Sequence, residues 1–182
     1  MKIGITGSLS SGKTSVAKIL SKNKKHLFSA DKIVQELYRS KKFKKRLAKK
    51  FGIRKEDIKN EIKKKLLAGN ISLNSLGKFI HPFVRKKMKT FYNSNKDKIL
   101  FFEIPLLIES KLMYFFDYII LVVSPRNQRL KRYLENGGNK KMFYLLDKAQ
   151  ISARKKIKYC DYLIVNNKSK NILKKKISDI II

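Results

Sequence analysis

Residues Gly7 to Thr14 read Gly-Ser-Leu-Ser-Ser-Gly-Lys-Thr, the pattern G-x-x-x-x-G-K-[ST] of a phosphate-binding loop. Each fixed position has a physical reason. To bind a triphosphate, several N–H donors must converge on an anion, so the backbone must curl tightly. Gly7 and Gly12 permit backbone angles and close approaches that a Cβ would forbid. Lys13 places a point charge on the β- and γ-phosphates. Thr14 offers a hydroxyl to Mg²⁺, and the helix starting there aims its positive dipole end at the phosphates. A chance match in a loop is the plain alternative, and the flanks argue against it. Lys2 to Thr6 read as a short buried strand. Ser15 to Leu20 place Val16, Ile19 and Leu20 on one helical face. Strand, loop and helix is the order the motif requires. Gly7, Ser8, Leu9, Ser10, Ser11, Gly12, Lys13 and Thr14 are therefore the candidate ATP-binding residues.

Strand candidates recur between helical stretches: His26 to Ala30, Ile99 to Phe102, Tyr118 to Val123 and Tyr162 to Val165. That alternation predicts an α/β chain with a parallel, doubly wound sheet. Ligands in such sheets sit beyond the carboxyl ends of the strands. The phosphate loop, Asp31 and Glu103 all fall there. Asp31 also reads as the cap of a helix over Lys32 to Tyr38, with Ile33, Val34 and Leu37 as its apolar face. From Ser40 to Tyr92 the chain is Lys-rich and helical, with Phe43, Leu47, Phe51, Ile62, Leu66 and Leu67 at helix spacing. It reads as a helical insertion. Arg126 to Glu135 predict a helix carrying Arg126, Arg129 and Arg132 near one face. A turn at 136–139 and a second basic helix over Lys141 to Lys158 follow. A mobile lid over phosphates and a solvated hairpin are both open readings of that pair. The carboxyl-terminal stretch from Asn171 predicts an amphipathic helix with Ile172, Leu173, Ile177, Ile180 and Ile181.

The chain has 182 residues, 43% of them hydrophobic, which is enough for one core with insertions or two small lobes. No apolar run approaches a membrane span. Met1 leads straight into the strand and loop, so no signal peptide is expected. The single cysteine, Cys160, cannot pair within the chain and suits a reducing cytoplasm. A net charge of +32 invites a nucleic-acid reading. The charge is spread along the whole chain and carried largely by lysine, so it is read as a compositional bias that favours polyanionic small substrates. No specific nucleic-acid partner, no membrane partner and a monomer are expected.

A phosphate loop alone does not separate kinases from hydrolases and switches. The base-reading Asn-Lys-x-Asp element of switch GTPases is absent: Asn167-Lys168-Ser169-Lys170 lacks the acid. An acid after the second strand, a helical insertion and an Arg-rich lid suit a kinase for a small acceptor. Mg·ATP would sit on the loop, with Mg²⁺ as the cofactor. Asp31 would accept the proton of an acceptor hydroxyl, and Lys13 would act beside it on the transferred group. Glu103 is placed to contact the metal through water. Lid arginines would neutralise developing charge, with Arg129 and Arg132 as candidates.

These residues resemble the dephospho-CoA kinase family over most of the chain. Ile3 to Thr14 is similar to the family's I-G-L-T-G-G-I-G-S-G-K-[ST]. Ser29-Ala30-Asp31 resembles its D-A-D, and Phe51-Gly52 its F-G. His81-Pro82-Phe83-Val84-Arg85 resembles its H-P-x-V-R, and Ile104-Pro105-Leu106-Leu107-Ile108-Glu109 its I-P-L-L-F-E. Gln128, Gln150, Cys160-Asp161 and Asn166-Asn167 resemble its lid and closing segment. The resemblance implies a P-loop NTPase fold of nucleotide-kinase-like, three-layer type: a five-stranded parallel sheet with a helical substrate insertion and a helical lid. It implies a core of 1–30, 92–125 and 158–182, a CoA-binding domain of 31–91 and a lid of 126–157. It further implies transfer of the ATP γ-phosphate to the ribose 3′-hydroxyl of dephospho-CoA, with Asp31 as base. Substrate contacts are implied at Thr6, His81, Arg85, Pro105, Leu106 and Glu109. Ser8 and Ser10 stand where the family has glycines, Ser29 where it has the first Asp, and Asn136 and Leu146 where lid arginines are expected. Another small-molecule or nucleoside monophosphate kinase, and a nucleic-acid-stimulated P-loop ATPase, are the competing readings.

Overall fold

The structure, a computed structural model, describes residues 1–22, 26–54 and 57–178. The chain divides into two compact units, Met1–Ser29 with Tyr92–Ile182, and Ala30–Phe91.

Among the described residues, the first unit is built on strands β1 (Lys2–Gly7), β2 (Leu27–Ser29), β3 (Leu100–Glu103), β4 (Tyr118–Val123) and β5 (Tyr162–Val165). They form one sheet in the order β2-β3-β1-β4-β5, every pair parallel. Strand alternation sorts the side chains of β1. Ile3 and Ile5 point to one face, where Ile120, Val122 and Ile164 join them. Val16 and Ala17 of α1 (Lys13–Leu20), with Leu173 and Ile177 of α9 (Lys170–Ser178), close that cluster. Gly4 faces the other way. A Cβ there would lie 2.7 Å from Leu107 and 3.0 Å from Phe116, so the bare backbone gives these side chains room against the sheet. Phe102, fully buried, packs edge-on against Phe115 and Phe116 at 5.7 and 5.4 Å.

The second unit contains α2 (Ala30–Arg39), α3 (Lys41–Phe51), α4 (Ile58–Leu67) and most of α5 (Leu73–Asn93). Ser40 caps α3 by accepting the Phe43 N–H, and Gly52 ends it with φ 58°. Phe43 and Leu47 are buried. Phe43 touches Phe79 and Phe83 at ring separations of 5.7 and 5.2 Å, and Ile58, Ile62 and Leu66 bury the α4 face.

Four expectations need correction. Asp31 is not a cap: α2 begins at Ala30, which puts Asp31 inside its first turn. Leu67 is 41% exposed, because the buried stripe of α4 runs through Ile58, Ile62 and Leu66 at four-residue steps. The basic helix expected over Lys141 to Lys158 is broken into α7 (Lys140–Lys148), α8 (Ala153–Lys156) and a 3₁₀ turn at Ile157–Tyr159. Ser152 accepts the Lys155 N–H and starts a new helix there. Ile172 is 40% exposed whereas Leu173 and Ile177 are buried; Ile180 and Ile181 lie outside the described residues.

Cys160 is half-buried against the Lys156 carbonyl, with Sγ to O 3.2 Å. Burial, then the neighbouring Asp161 charge, push its thiol up to about 11, against a smaller lowering by Lys156. At pH 8 roughly one molecule in a thousand carries the thiolate, so iodoacetamide is expected to modify the folded chain far more slowly than the urea-unfolded one. The raised pKa contributes stability below about pH 9, and this is lost as the pH rises through about 11.

Candidate active site

The candidate active site lies at the carboxyl ends of the strands in the first unit. Gly7 ends β1, and no side chain fits there: a Cβ would sit 2.2 Å from the Val122 carbonyl oxygen and 2.8 Å from Ser11 Oγ. The loop then turns through Ser10 at φ 56° and Gly12 at φ 96°. An L side chain is disfavoured in that region by about 1–2 kcal/mol, so Ser10 accepts strain that a glycine would remove. The Ser11 N–H donates to the Ser8 carbonyl at 3.2 Å and closes the turn. Gly12 supplies no side-chain cap to α1; its carbonyl accepts the Ser15 and Val16 N–H groups at 3.1 and 3.2 Å, and the Lys13 and Thr14 N–H groups ahead of them are those an anion at the helix start would meet. Lys13, 7% exposed, folds back and donates from Nζ to the Ser8 carbonyl at 2.8 Å.

Asn166, the residue after β5, braces this loop with its side chain, a role that its place in a closing Asn-Asn motif does not reveal. Its Nδ2 donates to the Ser11 carbonyl at 2.9 Å, and its own N–H donates to Val123 at 2.8 Å. A Cβ at Gly12 would lie 2.1 Å from that Nδ2. Gly12→Ala is expected to weaken ATP binding by ~10-fold, by combining a left-handed backbone penalty with displacement of Asn166. Calorimetric titration with Mg·ATP checks this.

Glu103, 1% exposed, ends β3 in register with Ile5 on one side and Ser29 on the other. The Thr14 hydroxyl donates to Oε1, and Ser29 Oγ donates to Oε2 at 2.8 Å. The substituted residue Ser29 thus holds the second acid by hydrogen bonding, as an aspartate there could not if both carboxylates were ionised. A threonine hydroxyl beside a buried carboxylate is a hard-oxygen donor set and fits Mg²⁺, which takes one or two protein oxygens and fills its remaining positions with phosphate and water.

Leu9 is held by both of its backbone groups. Its N–H donates to Gln150 Oε1 at 2.9 Å, and its carbonyl accepts from Arg129 Nη1 at 3.3 Å. Arg129, 8% exposed, also donates to Ser124 O at 3.2 Å and pairs with Asp147 Oδ1 at 2.5 Å. Arg126 of the helix α6 (Arg126–Glu135) holds the other Asp147 oxygen at 2.9 Å. Arg132 donates to Ser124 Oγ at 3.0 Å and to the Asn166 carbonyl at 3.1 Å. The two arginines expected to meet phosphate are therefore both engaged by protein oxygens. Asn136, standing at a position of an expected arginine, donates to the Arg132 carbonyl at 2.6 Å beyond the end of α6. Asp147 and Gln150 could not be assigned these partners from spacing, because the partners lie far away in sequence.

The remaining expected residues divide between the units. Thr6 is fully buried and donates to the Pro105 carbonyl at 3.1 Å. Pro105 and Leu106 are half-exposed, and Glu109 Oε1 faces Lys156 Nζ at 2.8 Å and accepts the Ile151 N–H at 3.0 Å. In the second unit, Asp31 is exposed in the first turn of α2. His81 and Arg85 lie one turn apart on α5. Burial, then the Arg85 charge, lower the His81 pKa, which keeps the imidazole neutral at pH 7.

The comparisons with known proteins agree. The family model described as dephospho-CoA kinase matches residues 1–171. A dephospho-CoA kinase of Fusobacterium nucleatum is 32% identical over 97% of this chain and 95% of its own. One of Bartonella henselae is 31% identical over 91% and 89%. Two solved structures share the fold: one from Thermus thermophilus at TM-score 0.78 and 23% identity (98% and 95% covered), and a Campylobacter jejuni dephospho-CoA kinase at 0.57 and 21% (98% and 94% covered). With the phosphate loop, the buried acid at the end of β3 and a family match spanning nearly its whole length, the chain belongs to the dephospho-CoA kinase family, the kinases that phosphorylate dephospho-CoA with ATP in coenzyme A biosynthesis.

Proposed function

We propose that this chain transfers the γ-phosphoryl group of Mg·ATP to the ribose 3′-hydroxyl of dephospho-CoA, with Asp31 as the general base. The observation that carries the reading is the joining of Thr14 to the buried Glu103, directly beside a loop whose lysine is already inside it. Lys13 exchanges the Ser8 carbonyl for the β/γ-phosphate oxygens and stabilises the charge that develops on them. Thr14 and Glu103 would hold Mg²⁺, Thr14 directly and Glu103 through water. When bound, the ion neutralises β- and γ-oxygens and orients them. Asp31 stands two residues after β2, in the first turn of α2. It accepts the proton of the acceptor hydroxyl and aligns it in line with the phosphorus.

His81, Arg85, Pro105 and Leu106 are the proposed acceptor contacts, and Thr6, fully buried against the Pro105 carbonyl, is proposed to act through Pro105. For His81 the neutral imidazole is the form available at pH 7, so it acts there through hydrogen bonds. Arg126, 59% exposed at its side chain, is the most accessible cation of the Asp147 pair, and Arg129 and Arg132 would have to leave protein partners to meet phosphate. Segments 31–91 and 126–157 are proposed as substrate domain and lid, with 1–30, 92–125 and 158–182 as the core. We place the enzyme in the cytoplasm, as a monomer without a specific nucleic-acid partner. Among the described residues, no helix is long and apolar enough to cross a membrane.

A coupled ADP-release assay with Mg·ATP tests the reading, comparing dephospho-CoA with AMP, CMP, shikimate and no acceptor at moderate salt. Rapid release with dephospho-CoA alone is expected. Release with another acceptor moves the substrate assignment, and stimulation by DNA or RNA at physiological salt replaces it with a nucleic-acid-dependent ATPase.

A further inference from the structure

We propose that the buried Glu109–Lys156 pair is a positioning device for the nucleotide loop, acting through Ile151 and Gln150 on the backbone of Leu9. Lys156 of α8 is fully buried, and Glu109 Oε1 lies 2.8 Å from its Nζ. No other acceptor engages that ammonium among the described residues, so the carboxylate is held where it is: an unpaired buried ammonium is too costly to leave. The same Oε1 accepts the Ile151 N–H at 3.0 Å. Ile151 lies at the break between α7 and α8, where no helical carbonyl serves its amide. The ion pair thus pins the backbone at one point of the break.

Gln150 is the adjacent residue. Its Oε1 accepts the Leu9 N–H at 2.9 Å, while Arg129 holds the Leu9 carbonyl at 3.3 Å. Leu9 leads directly into Ser10, whose φ of 56° sets the curl of the loop. A loop held in this shape before nucleotide arrives loses less freedom on binding, and that saving appears as ATP affinity. The inference rests on the kinase reading for the identity of the nucleotide. It differs from that reading in giving Glu109 a role on the ATP side, where the family resemblance implies an acceptor contact.

The test uses the full chain and measures Mg·ATP dissociation constants by calorimetry without any acceptor, so its outcome is independent of which acceptor is phosphorylated. Thermal unfolding is followed in parallel. Gln150→Ala and Glu109→Ala are each expected to weaken ATP by ~10-fold. The Glu109→Ala/Gln150→Ala variant should be no weaker than the weaker single, because both act on one path. The KM for dephospho-CoA should stay within about 2-fold of wild type in Glu109→Ala. Unchanged ATP affinity with a raised KM for dephospho-CoA would make Glu109 a substrate contact. Additive losses of ~100-fold would make the two residues independent, and either result overturns the proposal. If Glu109→Ala does not fold, two charge-free pairs decide it. Glu109→Gln/Lys156→Met keeps an acceptor for Ile151 and should hold ATP like wild type. Glu109→Leu/Lys156→Met fills the space without an acceptor and should lose ~10-fold. Equal affinity in these two would dispose of the idea.

Discussion

Lys13→Ala is expected to lower turnover by about 10²–10³-fold and to weaken ATP as well. The lysine sits 7% exposed inside the loop, where water cannot replace its charge. Its Nζ donates to the Ser8 carbonyl at 2.8 Å, inside the loop. The fold should survive the substitution. Ser8 still accepts the Ser11 N–H at 3.2 Å, and Asn166 still holds the Ser11 carbonyl at 2.9 Å. Coupled ADP release and calorimetry on the same preparation separate the two effects. A variant with wild-type turnover would remove Lys13 from the chemistry.

Asp31→Asn should keep ATP affinity and lose turnover by at least ~10². Asparagine has the shape of aspartate and stays compatible with the first turn of α2. The change gives up a carboxylate–dipole interaction of about 0.3–1 kcal/mol at an exposed helix start, and thermal unfolding of the same preparation checks that the fold is kept. What it cannot do is take a proton from the acceptor hydroxyl. Single-turnover phosphoryl transfer with ATP prebound isolates that step. Full activity in this variant would return Asp31 to a purely structural place in α2 and leave the base to be found elsewhere.

The core of the site was legible because its chemistry is written in consecutive residues. A phosphate loop needs its glycines, lysine and hydroxyl at fixed spacing, so Gly7 to Thr14 declares itself. The strand ends followed from short apolar runs, and Glu103 was found because it terminates one of them. The structure puts that carboxylate on Thr14, in the first turn of the helix that follows β1, the strand beside β3. Ser29 read as a loss in the sequence. In the sheet it is the partner of Glu103 across β2 and β3, and its hydroxyl supplies the donor that a second acid would not.

The pair of helices α6 and α7 shows the limit. Arg129 and Arg132 have the right charge and periodicity for phosphate, and periodicity cannot say what a cation faces. Asp147, 18 residues from Arg129 along the chain, is brought against it, and the Leu9 carbonyl arrives from 120 residues away. The break between α7 and α8 was hidden for a similar reason. A lysine-rich run has good helix propensity, and although the Ser152 cap that starts α8 is local, the groups that hold the two residues before it are distant: Leu9 for the Gln150 side chain and Glu109 for the Ile151 N–H.

Local chemistry by itself determined the phosphate loop, the alternating α/β order and the positions of Lys13, Thr14, Asp31 and Glu103. Those features depend on backbone conformation and on neighbours a few residues away. Tertiary structure decided the rest: Asn166 against Gly12, Ser29 on Glu103, Arg129 and Gln150 on Leu9, and Lys156 buried on Glu109. Each of these joins groups from different elements. A buried polar group takes whichever partner the packing of the sheet and helices sets within reach, and no local pattern records that choice.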